Sequence, residues 1–490
     1  MYNVSNDYLD AVKQPIQHHR LTGTIGSSAF TDENIVSGSF HITNQCTDDG
    51  DVMLGAVYTG TLTATFHDMP IRRYNWVNKV ITVSFGLLLE DGETWEDVPL
   101  GIYTIKEAKH SAEGVTVTAY DNMIKLDKKF DKDQFQTPQK MYGFVSTVCT
   151  RCGVTLGMTE GQIQAMPNGN TLMGIVGTES NTELNEYGND IDTYRDLVFW
   201  MAQTMACFAT INRSGQLIFK RWPTEETAVD EVSESYRLEG AVFDDFTTNY
   251  TGIYVTNSKS GNDIYYGYDV ETLEAEIETV EGNIRQYNLD LAQNELDYQE
   301  GRITEAEYKR RKKVLQKKIK QANTRLAWLE EALEKAEQGE DGLFMSLGEN
   351  PFMQPDGVGS QYPAMRRRVL AAILNISYTP FTCSTVVGVH YDLGDIIQFT
   401  GGHATEEGES CCLMSYDFNF DGEYQMQGFG SDPNVPVIRS ATAKSANQAE
   451  KNAGIALTKA EEGGGGGGGF GSYTVNAYNH LEMLDYTEVT

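Results

Sequence analysis

Few residues in this chain have the types and spacing to do chemistry. Cys149-Thr-Arg-Cys152 has the spacing of half a zinc site, since two thiolates two residues apart can hold one side of a tetrahedral ion. A structural zinc needs four ligands, and the other cysteines, at 46, 207, 383, 411 and 412, supply no second pair of matching spacing. The plainer reading is two small residues on one helical face, and Cys411-Cys412 likewise alternates across a strand. His18-His19 and His403 have no partners in an order that would make a base, a nucleophile or a ligand set, and lone histidines are mostly structural or surface residues. Asp417-x-Asn419-x-Asp421-Gly422 opens like a calcium loop, but its twelfth position is Gly428 where a bidentate Glu is needed. FNFDGEY therefore reads as a hairpin on an Asp-Gly turn. No H-E-x-x-H, G-x-S-x-G or Walker loop occurs. The residues predict no catalytic group, no metal and no cofactor.

Composition bounds what remains. A chain of 490 residues exceeds one core and should fold as several domains. Its 38 basic against 70 acidic residues give a net charge of -32, with no long basic block to offset it. Nucleic-acid binding through clustered Lys and Arg is disfavoured on that ground. No apolar run of membrane-spanning length and no basic-then-apolar leader is present, so neither membrane insertion nor conventional secretion is expected. An odd, scattered set of seven cysteines argues against a disulfide framework and fits synthesis in a reducing cytoplasm.

The elements that would position these residues begin with strands. Leu21 to Ile25, Ile35 to Ile42, Val57 to Phe66 and Val80 to Leu89 are Thr-rich or branched runs bounded by Gly, Asn and Asp, spaced as in a small barrel. From Pro99 to Phe130 a period of two around Ile102 to Ile105, repeated at Val115 to Ala119, predicts a hairpin across the polar stretch Ala108 to Gly114. Past Asp121-Asn122, the spacing of Met123, Leu126 and Phe130 predicts a helix. Met141, Phe144, Val145 and Val148 mark the next helix, and Tyr194, Leu197, Val198, Met201, Ala202 and Met205 another, with Asp192 and Thr193 as N-caps. CFATINRSGQLIFKRW then predicts two strands joined at Ser214-Gly215.

Strands return at Ile253 to Thr256 and Ile264 to Tyr268 and stop at Asp269. From there Leu273, Ile277, Val280, Ile284 and Leu291 follow the alternating four-three spacing of a coiled-coil seam, with Asn294 in the one polar step. The chain turns at Gly301-Arg302-Ile303, Thr304 and Glu307 form a capping box, and Leu315, Ile319, Leu326, Leu329 and Leu333 continue a second seam. Two helices of about 30 residues on so short a turn predict an antiparallel arm roughly 45 Å long. Asp290, Glu295, Asp297 and Glu300 should face the basic stretch Lys309 to Lys320. At the base Glu271, Glu274 and Glu278 would lie near Glu330, Glu331, Glu334 and Glu337, as a solvated face or as a docking site. Beyond it come a loop at Asn350-Pro351, a helix from Met365 to Leu374, strands at Thr385 to Val389, Asp395 to Phe399 and Cys411 to Phe418, then an Ala-rich helix, seven glycines at 463 to 469 and a short tail.

Four ordered pieces of the sequence, between about residues 20 and 435, resemble phage tail-tip and baseplate hub proteins, the group that includes siphophage tail-associated lysins and prophage endopeptidase tail proteins. They are SGSFHITNQC with LGAVYTGTLTATF; Leu100-Gly101-x-Tyr103 with Tyr120-Asp121-Asn122; the helix start Thr193-Tyr-Arg-Asp-Leu with the hairpin Asn212-Arg-Ser-Gly215; and Asn350-Pro351-Phe with Tyr-x-Pro-Phe and Leu393-Gly394-Asp395. The resemblance implies an α+β chain: a first β-barrel over 1–135, a small α/β domain over 136–238, and a second barrel from 239–268 and 373–435. The arm, 269–339, interrupts that barrel, 340–372 connects back to it, and 436–490 forms a tip segment. It also implies a homotrimeric ring in a virion tail, assembled in a bacterial host cytoplasm, while the want of room for a lytic domain after the second barrel predicts that the chain is not an enzyme. Its partners would be the distal tail ring, a fibre or spike and the tape measure, with DNA passing through a channel it does not bind specifically. The arm and the missing lytic domain depart from the pattern. Two other readings stay open: a tail-associated cell-wall hydrolase of unfamiliar fold, and a carbohydrate-binding tip protein suggested by 26 tyrosines.

Overall fold

The computed structural model describes residues 1–430 apart from 15, 48–51, 136–137, 175–190, 224–227, 239–240, 247–249, 251, 258–260, 262, 268–269, 338–343, 355–361, 374–375, 377, 387 and 405–407. The Ala-rich helix, the glycine run and the tail lie outside the described residues, which belong to the unit Met1–Pro433.

A one-and-a-half-turn helix, α1 (Asn6–Ala11), opens the chain, capped by Ser5, whose hydroxyl accepts from the Tyr8 amide at 3.0 Å. Strands β1 (His19–Ile25), β2 (Ser28–Thr31), β3 (His41–Gln45), β4 (Thr61–Phe66), β5 (Val80–Leu88), β6 (Trp95–His110) and β7 (Val115–Tyr120) follow. The expected strand from Ile35 does not form. Asp32–Asn34 is a 3-10 turn and Gly38 takes φ +72°, so Ile35 makes only an isolated bridge to Phe66 and the continuous strand starts at His41. The β6–β7 hairpin forms with a tighter turn than expected, since β6 runs on to His110. Gly114, at φ +149°, brings its backbone where a Cβ would stand 2.3 Å from the Phe66 carbonyl. Past β7 the chain makes a 3-10 helix, Asn122–Asp127, in place of the expected α-helix.

Helices α2 (Met141–Cys152), α3 (Glu160–Gln164) and α4 (Tyr194–Thr204) come next, then the hairpin β8 (Cys207–Ile211) and β9 (Leu217–Arg221). Thr193 caps α4 in a reciprocal box with Asp196. The remaining strands are β10 (Asp230–Ser233), β11 (Val242–Phe243), β12 (Gly252–Thr256), β13 (Asp263–Gly267), β14 (Phe344–Ser346), β15 (Phe381–Thr385), β16 (Ile396–Thr400), β17 (Glu409–Cys412), β18 (Ser415–Asn419) and β19 (Tyr424–Gly428). Helices α5 (Val270–Gln299) and α6 (Glu305–Glu337) stand between β13 and β14, and α7 (Tyr362–Ile373) between β14 and β15.

The strands do not sort into two separate barrels. Eleven of them form one antiparallel sheet in the order β11-β15-β19-β18-β3-β4-β7-β6-β5-β1-β2, and among the described residues nothing pairs β2 back to β11. The join is β3 against β18, which sets Ile42 opposite Phe418, both buried. Phe418 also packs edge-on against Phe40 and Phe85. Burial of one such side chain is worth about 1.5–3 kcal/mol, so these contacts help hold the N-terminal strands against β15, β18 and β19. Strands β12 and β13, expected in a second barrel, instead lie in a three-stranded sheet in which β12 pairs with both β13 and β14, while in another β16 pairs with both β10 and β17.

Two apolar cores result. One lies under the long sheet; the other joins α2, α3, α4, β8–β9, the β12 sheet and α7. Cys411 belongs to the first and Cys412 to the second, as alternation along β17 requires. Cys149 and Cys152 both lie on α2, the first buried and the second half-buried. FNFDGEY is the β18–β19 hairpin.

Helices α5 and α6 pack against each other over a core of their own, with Leu273, Val280 and Leu329 buried and Ile277, Ile284, Leu326 and Leu333 partly so. Leu291, Leu315 and Ile319 are half-buried, whereas Leu289, Leu296 and Val314 are exposed. Asn294 is buried and donates to the Tyr308 carbonyl at 3.2 Å. Near the tip Arg302 pairs with Asp297 and Glu300 inside the turn and Lys309 with Glu305 along α6, while contacts that reach across to α5 include Lys318 over the Tyr287 ring and Tyr308, which donates to Glu295 and accepts from Lys312. Of the acidic base, the side chains of Glu271, Glu331, Glu334 and Glu337 lie outside the described residues. No described helix is long and apolar enough to cross a membrane.

Candidate functional site

The buried ground where the long sheet, the β8–β9 hairpin and the β15–β16 connection meet holds most of the motif residues. Strand β6 bends there: Gly101 takes φ +138°, and the register against β5 skips at Leu100, a bulge that strengthens twist and re-aims the strand. Tyr103 folds back so that its hydroxyl donates to the Leu100 carbonyl at 3.1 Å. Tyr120 stays in the sheet between Thr61 and Thr104.

Asp121 ends β7 and caps the 3-10 helix. Its two carboxyl oxygens accept the amides of Gly60 and Met123, each at 2.9 Å. Burial pushes this carboxyl up to about 7, against the pull of those two amides and of Arg195. The sign of the pH effect follows. Below about pH 4 folded and unfolded chains both hold the proton; between about pH 4 and pH 7 only the unfolded chain releases it, so stability declines across that window. We expect a loss of about 4 kcal/mol from this one group. Asp121→Asn should abolish that pH dependence. At acid pH it should cost about 1–3 kcal/mol, because its amide nitrogen faces a backbone N–H. Denaturant titrations of both proteins at pH 4.5 and 8 check this; parallel curves would disprove it.

Asn122 reaches from the sheet to the hairpin tip, donating to the Gly215 carbonyl at 2.7 Å. Gly215 needs its φ of +74°, and a Cβ there would stand 2.9 Å from that amide nitrogen. The adjacent Arg213 spans three segments. Its guanidinium donates to the Pro99 carbonyl on β6 (2.8 Å), the Tyr391 carbonyl (2.9 Å) and the Asp392 carboxylate (2.9 Å). Tyr2 lies over its face at 5.3 Å. From the same hairpin Lys220 donates to the Leu393 carbonyl (2.6 Å) and pairs with Asp395 (2.9 Å). Burial alone would raise the Asp395 carboxyl, but Lys220 and the amino group of Met1 hold it below the usual carboxylate range. Gly394, at φ +77°, lets the Leu393-Gly394-Asp395 turn sit against Phe208. A cavity of about 450 Å³ remains among these residues, walled by Tyr103, Asp121, Arg213, Tyr416 and Tyr424 among others.

Leu100, Gly101, Tyr103, Asp121, Asn122, Gly394 and Asp395 are thus brought together. Asn350 and Pro351 are not: they lie in the second core, where Asn350 is fully buried against α4. Lys220 and Asp392 escape sequence reasoning, and Arg213 reads there as a turn residue. Its charge on a tight hairpin is the one available signal, since an arginine buried with three acceptors looks in sequence like one in solvent.

Among the described residues no group of three or more His, Cys, Asp and Glu side chains is placed to hold a metal ion. The junction's carboxylates are bound by amides and cations, and what this geometry does chemically is clamp three parts of the chain.

No protein-family model matches the chain, and no curated protein matches it. Solved structures that resemble it include the 43 kDa tail protein of prophage MuSo2 from Shewanella oneidensis, at 9% identity and a TM-score of 0.41 over 85% of this chain and 99% of that one. A tail protein from Neisseria meningitidis MC58 aligns at 8% identity with a TM-score of 0.44 over 84% of this chain and 95% of that one.

Proposed function

We propose that the chain is a structural, non-enzymatic hub of a phage or phage-like tail tip or baseplate, three copies closing a ring that continues the tail channel and carries tip or fibre proteins. The observation that carries this reading is the convergence at Arg213. Sequence pieces far apart in the chain, each resembling the hub group, meet at one buried clamp, as expected if the motif's purpose is to fix the domains of a rigid ring subunit. With a net charge of -32 per chain, a lumen rich in Asp and Glu would repel DNA phosphates and let a genome pass without sticking. The arm, with its separate core, is an insertion that docks a neighbouring tail protein through its acidic base.

Particle mass in solution tests the ring: a trimer is expected, and a monomer that turns over peptidoglycan would overturn the proposal in favour of a hydrolase. Deleting Leu273 to Ala336 and closing the gap with a short Gly/Ser turn should leave the mass of the particle that of a trimer of the shortened chain. Failure of that variant to fold would mean that the arm is part of the core.

A further inference from the structure

Because β7 and β6 lie between β4 and β5, the loop joining the two, residues 67–79, crosses one end of the long sheet. Trp76 anchors it, buried with its ring centre 6.2 Å from that of Phe66, and the Asn78 amide donates to the Ile105 carbonyl at 2.8 Å. Among the described residues five non-glycines have positive φ, and three of them fall in this loop: Asp68 (+56°), Tyr74 (+71°) and Asn78 (+67°). Left-handed backbone sets the Cβ of a tyrosine close to the next carbonyl, a cost that burial does not offset here, since Tyr74 is 88% exposed. Strain held under an exposed aromatic side chain points to a surface shaped for a contact.

The side chains say what kind. Arg72 and Arg73 are exposed, the Arg73 guanidinium lies 5.7 Å from the Tyr74 ring centre, and Val77 and Val80 leave apolar surface beside them. Tyrosine and arginine over exposed apolar groups are the composition of an interface hot spot. Among the described residues Arg72, Arg73 and Lys79 make no ion pair, and Asp68, the acidic residue of the loop, is set against His67. The complement lies at the other end of β5. That strand, 9 residues and about 30 Å long, runs from the loop into the β5–β6 turn, where Glu90, Asp91 and Glu93 are exposed and, among the described residues, paired with no cation. Asp91 accepts the amides of Glu93 (2.9 Å) and Thr94 (2.8 Å), which fixes that turn. Opposite charges at the two ends of one strand cannot meet within a chain. Between copies they meet head to tail, the kind of contact that closes a ring when its rotation allows.

We propose that this loop docks on a second copy of the chain, Arg72, Arg73 and Tyr74 of one copy seating on Glu90, Asp91 and Glu93 of the next. The inference rests on the ring reading and names its copy-to-copy contact. Sedimentation of the full chain tests it, with the strand signal in circular dichroism reporting folding. Arg72→Glu with Arg73→Glu, and separately Glu90→Arg with Glu93→Arg, should each raise the concentration needed for half-assembly at least tenfold. Tyr74→Gly, which relieves the backbone, should do the same. All four charge reversals in one chain should restore the trimer, because the signs match again. If one reversed pair fails to fold, the other pair and Tyr74→Gly decide. A wild-type monomer would overturn the ring reading and this contact with it. A wild-type trimer that persists through the reversals, or a folded fourfold variant that stays apart, would overturn the contact and leave the ring standing. The same variants are mixed with phosphatidylglycerol vesicles: vesicle binding lost while the trimer persists would assign the loop to a lipid surface and likewise overturn the proposal.

Discussion

Replacing Arg213 by alanine should loosen three segments at once. The Pro99 and Tyr391 carbonyls would lose a charged donor in a buried setting, which costs about 1–3 kcal/mol for each acceptor left unsatisfied. The pair with Asp392 adds less, because that carboxylate is 39% exposed and solvent screens it. A total of about 2–4 kcal/mol follows. Arg213→Lys should recover under half of it, since one ammonium cannot reach acceptors arranged around a planar fork. Hydrogen exchange localises the effect: protection should fall together at 99–103, 212–216 and 391–395. If only the hairpin loses protection, the clamp account fails.

Asn350→Ala should be of similar size and fall elsewhere. The Asn350 amide group donates to Gln203 Oε1 at 2.8 Å, Thr204 Oγ1 at 3.2 Å and the Trp200 carbonyl at 3.3 Å, while its oxygen accepts the Phe352 amide at 2.9 Å. Truncation strands several buried groups on α4 for one side chain removed, about 2–4 kcal/mol. Asn350→Asp should be worse at neutral pH, because it sets a carboxylate against two oxygens in a dry core, and should partly recover in acid when the carboxyl is protonated. Thermal unfolding of the three proteins at pH 5 and 8 measures both effects. An aspartate variant no less stable at pH 8 than at pH 5 would contradict this picture.

What the sequence discloses here is local. The β8–β9 hairpin is announced by Ser214-Gly215, and α4 by a capping box whose partners are three residues apart, so each signal sits inside the element it specifies. Helix α1 is too short for a period to register. Alternation along β3 and β18 tells which face is apolar and not which strand will cover the edge, so two closed barrels and one joined sheet write the same pattern. The candidate site divides the same way. Bends at Gly101 and Gly394 leave glycines to be read, but the guanidinium of Arg213 meets carbonyls 114 and 178 positions away, and no spacing rule reaches that far.

The β3–β18 seam also sets a schedule. Gly38 and Asp421, which share a hydrogen bond beside it, are 383 positions apart, so at about 5–20 residues per second a ribosome needs roughly 20–75 s to deliver the second after the first. During that interval β3 has β4 on one side and an open row of amides and carbonyls on the other, the kind of edge that recruits strands from neighbouring chains. Nascent copies on one message would be exposed to one another throughout. Slower translation of the C-terminal third should therefore lower the soluble yield, whereas supplying residues 381–430 as a separate, early-made fragment should raise it.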